Sequence, residues 1–285
     1  MEDKILLIND LPGYGKVALS AMLPVLSHMG FDAYNLPTAI VSNTLDYGKF
    51  DILDTTDHMA KSIEVWNELG FSFDAICTGF ILTAEQVRLI LDYCREQMKF
   101  GTKLYVDPIM GDEGKLYNGV SDKTISYMRS MCSCAELIVP NLTEAEFLTG
   151  LYEDKEDVTK EEAEEMCIKL HDMGAKNVVI TSVQISGKYY VTCYDDTEKC
   201  IYHVPFDHID VRFVGTGDIF SAVLFGRIIR GAELKTAVEY TVRVMRRLIE
   251  ENESEVDKFK GIPLEKNLGI IDEEWVKCFG EGENR

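Results

Sequence analysis

Four consecutive residues, Gly215-Thr216-Gly217-Asp218, carry the strongest chemical signal in this sequence. They open a long apolar helical pattern. The two glycines let the backbone approach a ligand closely, and the unsatisfied N–H groups at a helix start point toward an anion. Thr216 or Asp218 in that position also suits a plain helix N-cap. A second group, Asp107-Pro108-Ile109-Met110-Gly111-Asp112, ends a short strand. Pro108 stops the ladder and Gly111 permits a tight bend that turns Asp112 back toward Asp107. Two carboxylates so placed repel each other unless a cation intervenes, and oxygen ligands suit magnesium. The competing reading is a solvated acidic loop.

Gly13-Tyr14-Gly15-Lys16, after a strand and before a helix, imitates the end of a phosphate-binding P-loop but fails its pattern. That loop needs a Ser or Thr after the lysine as a magnesium ligand, whereas Val17 follows here. The segment is read as a Gly-rich turn, with a wall of a substrate pocket as the functional alternative, since α/β proteins bind ligands at the carboxyl ends of parallel strands.

Taken together, these segments resemble the ribokinase-like (PfkB-type) kinases, and among them the pyridoxal and pyridoxamine kinases. Gly215, Thr216, Gly217 and Asp218 match the G-[TA]-G-D motif at every position, which implies Asp218 as catalytic base and the preceding amides as an anion hole. The stretch from Asp107 to Asp112 is similar to D-P-V-[ML]-G-D with a tyrosine beyond it, here Tyr117, placed toward ATP. Pro140-Asn141-Leu142-Thr143-Glu144 matches P-N-x-x-E, whose glutamate helps organise magnesium. The resemblance thus implies Asp107, Asp112 and Glu144 as the metal-binding carboxylates, directly or through water. Asn141 is either a helix N-cap or a contact to the phosphates. Thr181 and Ser182, at the end of Val178-Val179-Ile180, stand where the family directs a hydroxyl toward the ATP phosphates.

Ser42-Asn43 with Tyr47-Gly48-Lys49-Phe50 resembles a segment of the vitamin B6 kinases that the sugar kinases lack. Phe80, after Gly79, stands where those kinases have an aromatic near the substrate ring, and stacking suits a flat pyridine. Two departures stand out. Asp10 and Leu11 replace the serine and histidine that many members carry after the first strand. Thr44 and Leu45 break the family's histidine-threonine pair. Asp10 suits a pyridinium or amine, which favours pyridoxamine. Asp10, Ser42, Asn43, Tyr47 and Phe80 are therefore the substrate-binding candidates.

The elements that must position these residues follow from hydrophobic periodicity. Strands are expected over Lys4–Asn9, Asp74–Thr78, Lys103–Val106, Glu136–Val139 and Asn177–Thr181. Helix-length periodic segments separate them: Lys16–Met29, Thr83–Phe100, the stretch after Ser121, and Glu161–Met173. This alternation indicates an α/β fold with a mostly parallel sheet covered on both faces. Lys188–Tyr194 and Lys199–Val204 alternate around a polar turn and read as an antiparallel hairpin. Helical periodicity returns from Gly217 to Ile229 and from Glu233 to Ile249. The acidic stretch Glu250–Asp257 reads as a solvated helix end, and the chain from about residue 262 as a peripheral tail. A single ribokinase-like domain, a three-layer sandwich, is expected over all 285 residues.

Composition sets the outer limits. With 46% hydrophobic and 27% charged residues, the chain is that of a globular protein. Acidic residues outnumber basic ones by 49 to 29, a field that repels polyanions and argues against nucleic acid as partner. An ATP site in such a chain needs local compensation from helix N-termini, lysines or bound cations. The eight scattered cysteines, with no secretory apolar segment at the N-terminus, are expected to be free thiols in a reducing cytoplasm. Cys132 and Cys134 have no second pair or nearby His to complete a zinc set. No apolar run reaches the ~18 residues needed to cross a bilayer. The resemblance therefore implies a cytoplasmic homodimer using ATP and Mg2+, with a monovalent cation such as K+ assisting. Its implied reaction phosphorylates the 5′-hydroxyl of pyridoxal, pyridoxamine or pyridoxine. The rival readings are a hydroxymethylpyrimidine or sugar kinase, and a non-catalytic binding protein on the same fold.

Overall fold

The computed structural model describes residues 3–117, 122–152, 155 and 157–279. The chain divides into two compact units, one of residues 1–55 and 208–285 and one of residues 56–207.

The first unit opens with β1 (Lys4–Pro12), α1 (Ala18–His28), β2 (Asp32–Val41) and β3 (Ile52–Asp54). β1 pairs in parallel with β2, and β3 closes antiparallel on β2. Ile5 through Ile8 are fully buried, which is why this strand reads as a continuous apolar run rather than an alternating one. After the second unit the chain returns with α7 (Thr216–Ile229), α8 (Leu234–Glu251), α9 (Leu264–Asn267) and α10 (Gly269–Phe279).

The second unit runs α2 (Thr56–Leu69), β4 (Ala75–Thr78), α3 (Ala84–Met98), β5 (Lys103–Val106), β6 (Gly111–Asp112), β7 (Lys115–Leu116), α4 (Asp122–Cys132), β8 (Leu137–Ile138), α5 (Leu142–Thr149), α6 (Lys160–Asp172), β9 (Asn177–Ile185), β10 (Lys188–Asp195) and β11 (Cys200–Phe206). β4, β5, β8 and β9 are parallel neighbours in that order, and β9, β10 and β11 continue antiparallel. β6 and β7 form a separate small hairpin. The α/β class, the mostly parallel strands and the late antiparallel hairpin are as the sequence indicates.

Three features differ from the periodicity. β2, β3 and α2 escape it, because β2 carries Asp32, Asn35 and Pro37 among its apolar residues and α2 exposes much of its surface. β9 continues past Thr181 to Ile185, where it pairs with β10. The stretch from 262 is no loose tail over its described part. Ile262, Leu264, Ile270 and Ile271 are buried, and Trp275 lies against the guanidinium of Arg227 at 3.8 Å. Glu and Gly dominate only beyond these residues, and 280–285, like Ser121, lie outside the described residues.

The acidic stretch after α8 is a series of turns, in which Lys258 Nζ donates to the carbonyls of Glu253 and Glu255 and Lys260 pairs with Glu255. All eight cysteines are free thiols. Among the described residues no helix is long and apolar enough to cross a membrane.

Candidate active site

In the first unit, Asp218 occupies the first turn of α7 and is 8% exposed. The plain-cap reading does not hold: Gly215 is the N-cap and no side chain caps the helix. Thr216 Oγ1 instead donates to the Phe213 carbonyl at 3.4 Å. Gly215 has φ +78°, and a Cβ there would lie 2.5 Å from the Lys16 carbonyl oxygen and 2.8 Å from Val17 Cγ1. Only glycine satisfies both conditions. The start of α7 is thereby set against the turn between β1 and α1. A Cβ on Gly217 would meet nothing within 4 Å, so the backbone there is open to close approach.

The Asp218 carboxylate is held by two donors. Asn9 Nδ2 donates to Oδ1 at 3.2 Å, and the backbone N–H of Ala18 is the other. Ala18 adopts φ +48°, a strained conformation for a non-glycine residue. Burial pushes the Asp218 carboxyl up to about 6, against the lowering effect of these two donors. Asp10 lies in the last part of β1. Burial first, then the charge of Asp218, push its carboxyl up to about 7, and its own backbone N–H lowers it. The geometry is a pair of desolvated carboxylates, one at a helix start, each poised to take a proton near neutrality.

Ser42, Asn43 and Tyr47 lie in the loop between β2 and β3. Ser42 Oγ donates to Asn43 Oδ1 at 2.7 Å and accepts the Asp51 N–H at 2.9 Å. Asn43 Nδ2 donates to the carbonyls of Thr44 and Lys49. Both side chains thus tie their own loop together. Tyr47 packs its ring against Tyr14 and Phe259, with centroids at 6.0 and 5.6 Å, and donates its hydroxyl to Asp257. Lys16, the would-be P-loop lysine, pairs with Glu265.

In the second unit, Asn141 is the N-cap of α5 and completes a capping box with Glu144. Glu144 does more than cap. Its Oε2 accepts the Asn141 N–H at 2.9 Å, while Oε1 accepts the Met110 N–H at 2.9 Å. Asn141 Nδ2 adds a bond to the Gly111 carbonyl at 2.8 Å. The start of α5 therefore fixes the bend of the acidic loop. Gly111 admits no side chain, since a Cβ would lie 2.4 Å from the Lys115 carbonyl oxygen. Burial, then the charge of Asp107, push the Glu144 carboxyl well above the usual range, although the N–H groups of Asn141, Met110 and Gly111 pull it down.

Asp107 and Glu144 are thus close electrostatic neighbours, both buried. Asp112 Oδ1 accepts the Glu113 N–H at 2.9 Å. Among the described residues no three His, Cys, Asp or Glu side chains converge on a common metal position. Magnesium suits such carboxylates, since it commonly keeps several waters and takes one or two carboxylates together with phosphate oxygens.

Phe80 follows β4 and is half-buried. Thr181 bridges to Asn141, its N–H donating to the Pro140 carbonyl at 2.9 Å. Ser182, next to it, is exposed with φ +57°. Tyr117 is exposed, its N–H bonded to the Met110 carbonyl.

The family model described as phosphomethylpyrimidine kinase matches residues 19–263. The chain belongs to the phosphomethylpyrimidine kinase family. Its relatives include pyridoxal kinases: that of Arabidopsis thaliana is 32% identical over 73% of this chain and 68% of its own length. That of Dictyostelium discoideum is 28% identical over 93% and 91%. Among solved structures, a Bacteroides thetaiotaomicron protein provisionally named as a phosphomethylpyrimidine kinase, crystallised with pyridoxal, is 33% identical. It superposes with a TM-score of 0.90 over 95% of this chain and 96% of that one. The pyridoxal kinase of Lactobacillus plantarum is 26% identical, with a TM-score of 0.86 over 97% and 99%.

Within this family setting, the residues that sequence reasoning missed are Asn9 and Ala18, the two donors to Asp218. Asn9 leaves a readable trace, since it is the polar residue that ends the apolar run Ile5-Leu6-Leu7-Ile8. Ala18 leaves none, because only the folded backbone reveals its left-handed conformation.

Proposed function

We propose that this chain is an ATP-dependent kinase that phosphorylates the 5′-hydroxyl of a vitamin B6 vitamer. The observation that carries the reading is the Asp218 carboxylate, buried at an uncapped helix start and pushed up to about 6. A general base works best when its pKa lies near the operating pH, so this environment suits proton acceptance from a substrate hydroxyl. The relative crystallised with pyridoxal gives the substrate class.

In this reading Asp218 accepts the hydroxyl proton. The backbone N–H groups of Gly215, Thr216 and Gly217 meet the negative charge on the transferring phosphoryl group, and each well-placed donor contributes ~3 kcal/mol by analogy with oxyanion holes. Asp10 pairs with the cationic amine or pyridinium of the substrate, while Tyr47 and Phe80 provide aromatic surface for its ring. Asp107, Asp112 and Glu144 would hold magnesium, directly or through water, with Asn141, Thr181, Ser182 and Tyr117 on the nucleotide side. Magnesium, when bound, neutralises phosphate oxygens. A cytoplasmic homodimer assisted by a monovalent cation such as K+ belongs to the same reading, and sedimentation and a K+ titration of activity test those two parts.

A hydroxymethylpyrimidine kinase is the second reading, favoured by the description of the matching family model. ATP consumption measured with pyridoxal, pyridoxamine, hydroxymethylpyrimidine and ribose separates the two. The proposal requires the highest kcat/KM on a B6 vitamer. A preference for hydroxymethylpyrimidine or ribose overturns it.

A further inference from the structure

We propose that Asn9 is a positioning residue for the base: its carboxamide fixes one oxygen of Asp218 and supports that carboxylate in its charged form. This inference rests on the reading of Asp218 as base.

Asn9 is 1% exposed within β1, just after its apolar run, where an amide side chain is retained only if its polar atoms are satisfied. Its orientation follows from its partners. The backbone N–H of Asp10 requires an acceptor and finds Asn9 Oδ1 at 2.9 Å, which leaves the NH2 group to face Asp218 Oδ1 at 3.2 Å. The same nitrogen lies 3.5 Å from Met22 Sδ, a weak acceptor. A bond from an amide to a carboxylate is stronger than one to a neutral acid, so Asn9 favours the ionised base. Ala18 N–H acts in the same direction from the start of α1.

The ionisable groups around Asp218 leave Asn9 a distinct part. From β1, Asp10 feels the charge of Asp218, which together with burial raises its own carboxyl to about 7. In the turn before α1, Lys16 is engaged by Glu265. On α1 the ionisable side chain is His28, which meets Asp272 at 3.1 Å. On α7, Arg227 stacks on Trp275 and donates to Tyr240 of α8. Also on α8, Lys235 pairs with Glu239, Arg246 with Glu250, and Arg247 with Glu251, Glu273 and Glu274.

The test compares the kcat pH profiles of wild type, Asn9→Leu and Asp218→Asn. Leucine keeps the branched, four-heavy-atom shape and removes the donor. We expect its acid limb to move up by roughly one pH unit, with turnover at neutral pH falling several-fold. If Asp218→Asn keeps near-normal turnover, the base reading and this inference fall together. If Asp218→Asn is inactive while the Asn9→Leu limb superposes on wild type, this inference alone falls and Asn9 is only a core residue. Should Asn9→Leu not fold, the side-chain amide resonance of Asn9 in the wild-type enzyme decides. A titration with the midpoint of the acid limb supports the proposal, and an invariant resonance across about pH 5 to 8 overturns it.

Discussion

Replacing Asp218 by Asn should make the protein more stable and nearly inactive. The magnitude follows from the position of its carboxyl, raised from the usual 3.8 to about 6 in a side chain that is 8% exposed. A displacement of about two pH units corresponds to about 3 kcal/mol by which folding is penalised when the group is ionised. The sign is that of a raised carboxyl. Below about pH 4 the group is neutral in both folded and unfolded chains and costs nothing; between about pH 4 and pH 6 the folded state surrenders that stability, and above this the full cost stands. Asparagine has the same shape and no charge, so at about pH 7.5 it should gain up to about 3 kcal/mol. With an unfolding entropy of about 2 cal/mol/K per residue, the gain is about 5 °C in Tm for a chain of this length. Turnover should fall about a hundredfold or more. Thermal unfolding from about pH 4 to 7.5 reads the stability, and a coupled ADP assay reads the turnover. An Asp218→Asn protein no more stable than wild type at about pH 7.5, or one whose gain persists undiminished at about pH 4, refutes the argument that Asp218 is buried against its own ionisation.

Other perturbations read other parts of the site. Gly215→Ala introduces a methyl 2.5 Å from the Lys16 carbonyl oxygen at φ +78°, and should destabilise by about 2 kcal/mol or more while depressing kcat, as measured by denaturation and initial rates. Asp10→Asn should lower kcat/KM for pyridoxamine relative to pyridoxal; an unchanged ratio removes Asp10 from substrate recognition. Glu144→Ala deprives the N–H groups of Asn141 and Met110 of their acceptor, so a loss of about 2 kcal/mol and a higher magnesium requirement for activity are expected. Trp275→Ala removes the face on which Arg227 stacks, and should cost about 2 kcal/mol in urea denaturation if α10 is integral to its unit.

What the sequence made legible and what it hid divide along physical lines. Buried parallel strands such as Ile5–Ile8 and Val178–Ile180 announce themselves because both faces exclude water and the run stays apolar. The Gly-rich helix start at Gly215 was readable for a related reason, since a left-handed residue packed against a neighbouring carbonyl tolerates no side chain. β2 was not readable: its polar residues reflect a strand only partly covered, and periodicity carries no signal for that. Asp107, Asp112 and Glu144 were legible as residues, whereas the small hairpin that carries Asp112 was not, because a two-residue pairing, Gly111 with Leu116 and Asp112 with Lys115, leaves no periodicity to read. Asn141 illustrates a subtler limit. Capping and phosphate contact require the same residue type in the same place, and only the bonds to Glu144 and Gly111 reveal how its side chain is used.

The two acidic pairs obey one electrostatic logic. Asp10 with Asp218, and Asp107 with Glu144, each put like charges in low-dielectric surroundings, and in each pair burial is the larger cause of the raised carboxyl. Neither arrangement is what stability alone selects, since a desolvated carboxylate beside another is penalised unless donors or cations compensate. Backbone and amide donors compensate in part: Ala18 and Asn9 for Asp218; Asn141, Met110 and Gly111 for Glu144. In the proposed reaction a cationic substrate group and a magnesium ion would relieve residual cost of this kind, so its ligands would stabilise the fold most where it is least satisfied. A net charge of −20 and the proposed triphosphate co-substrate are compatible for a related reason. The long-range field opposes the anion, but the uncapped start of α7 offers N–H groups at short range, where electrostatic interactions are strongest and least screened.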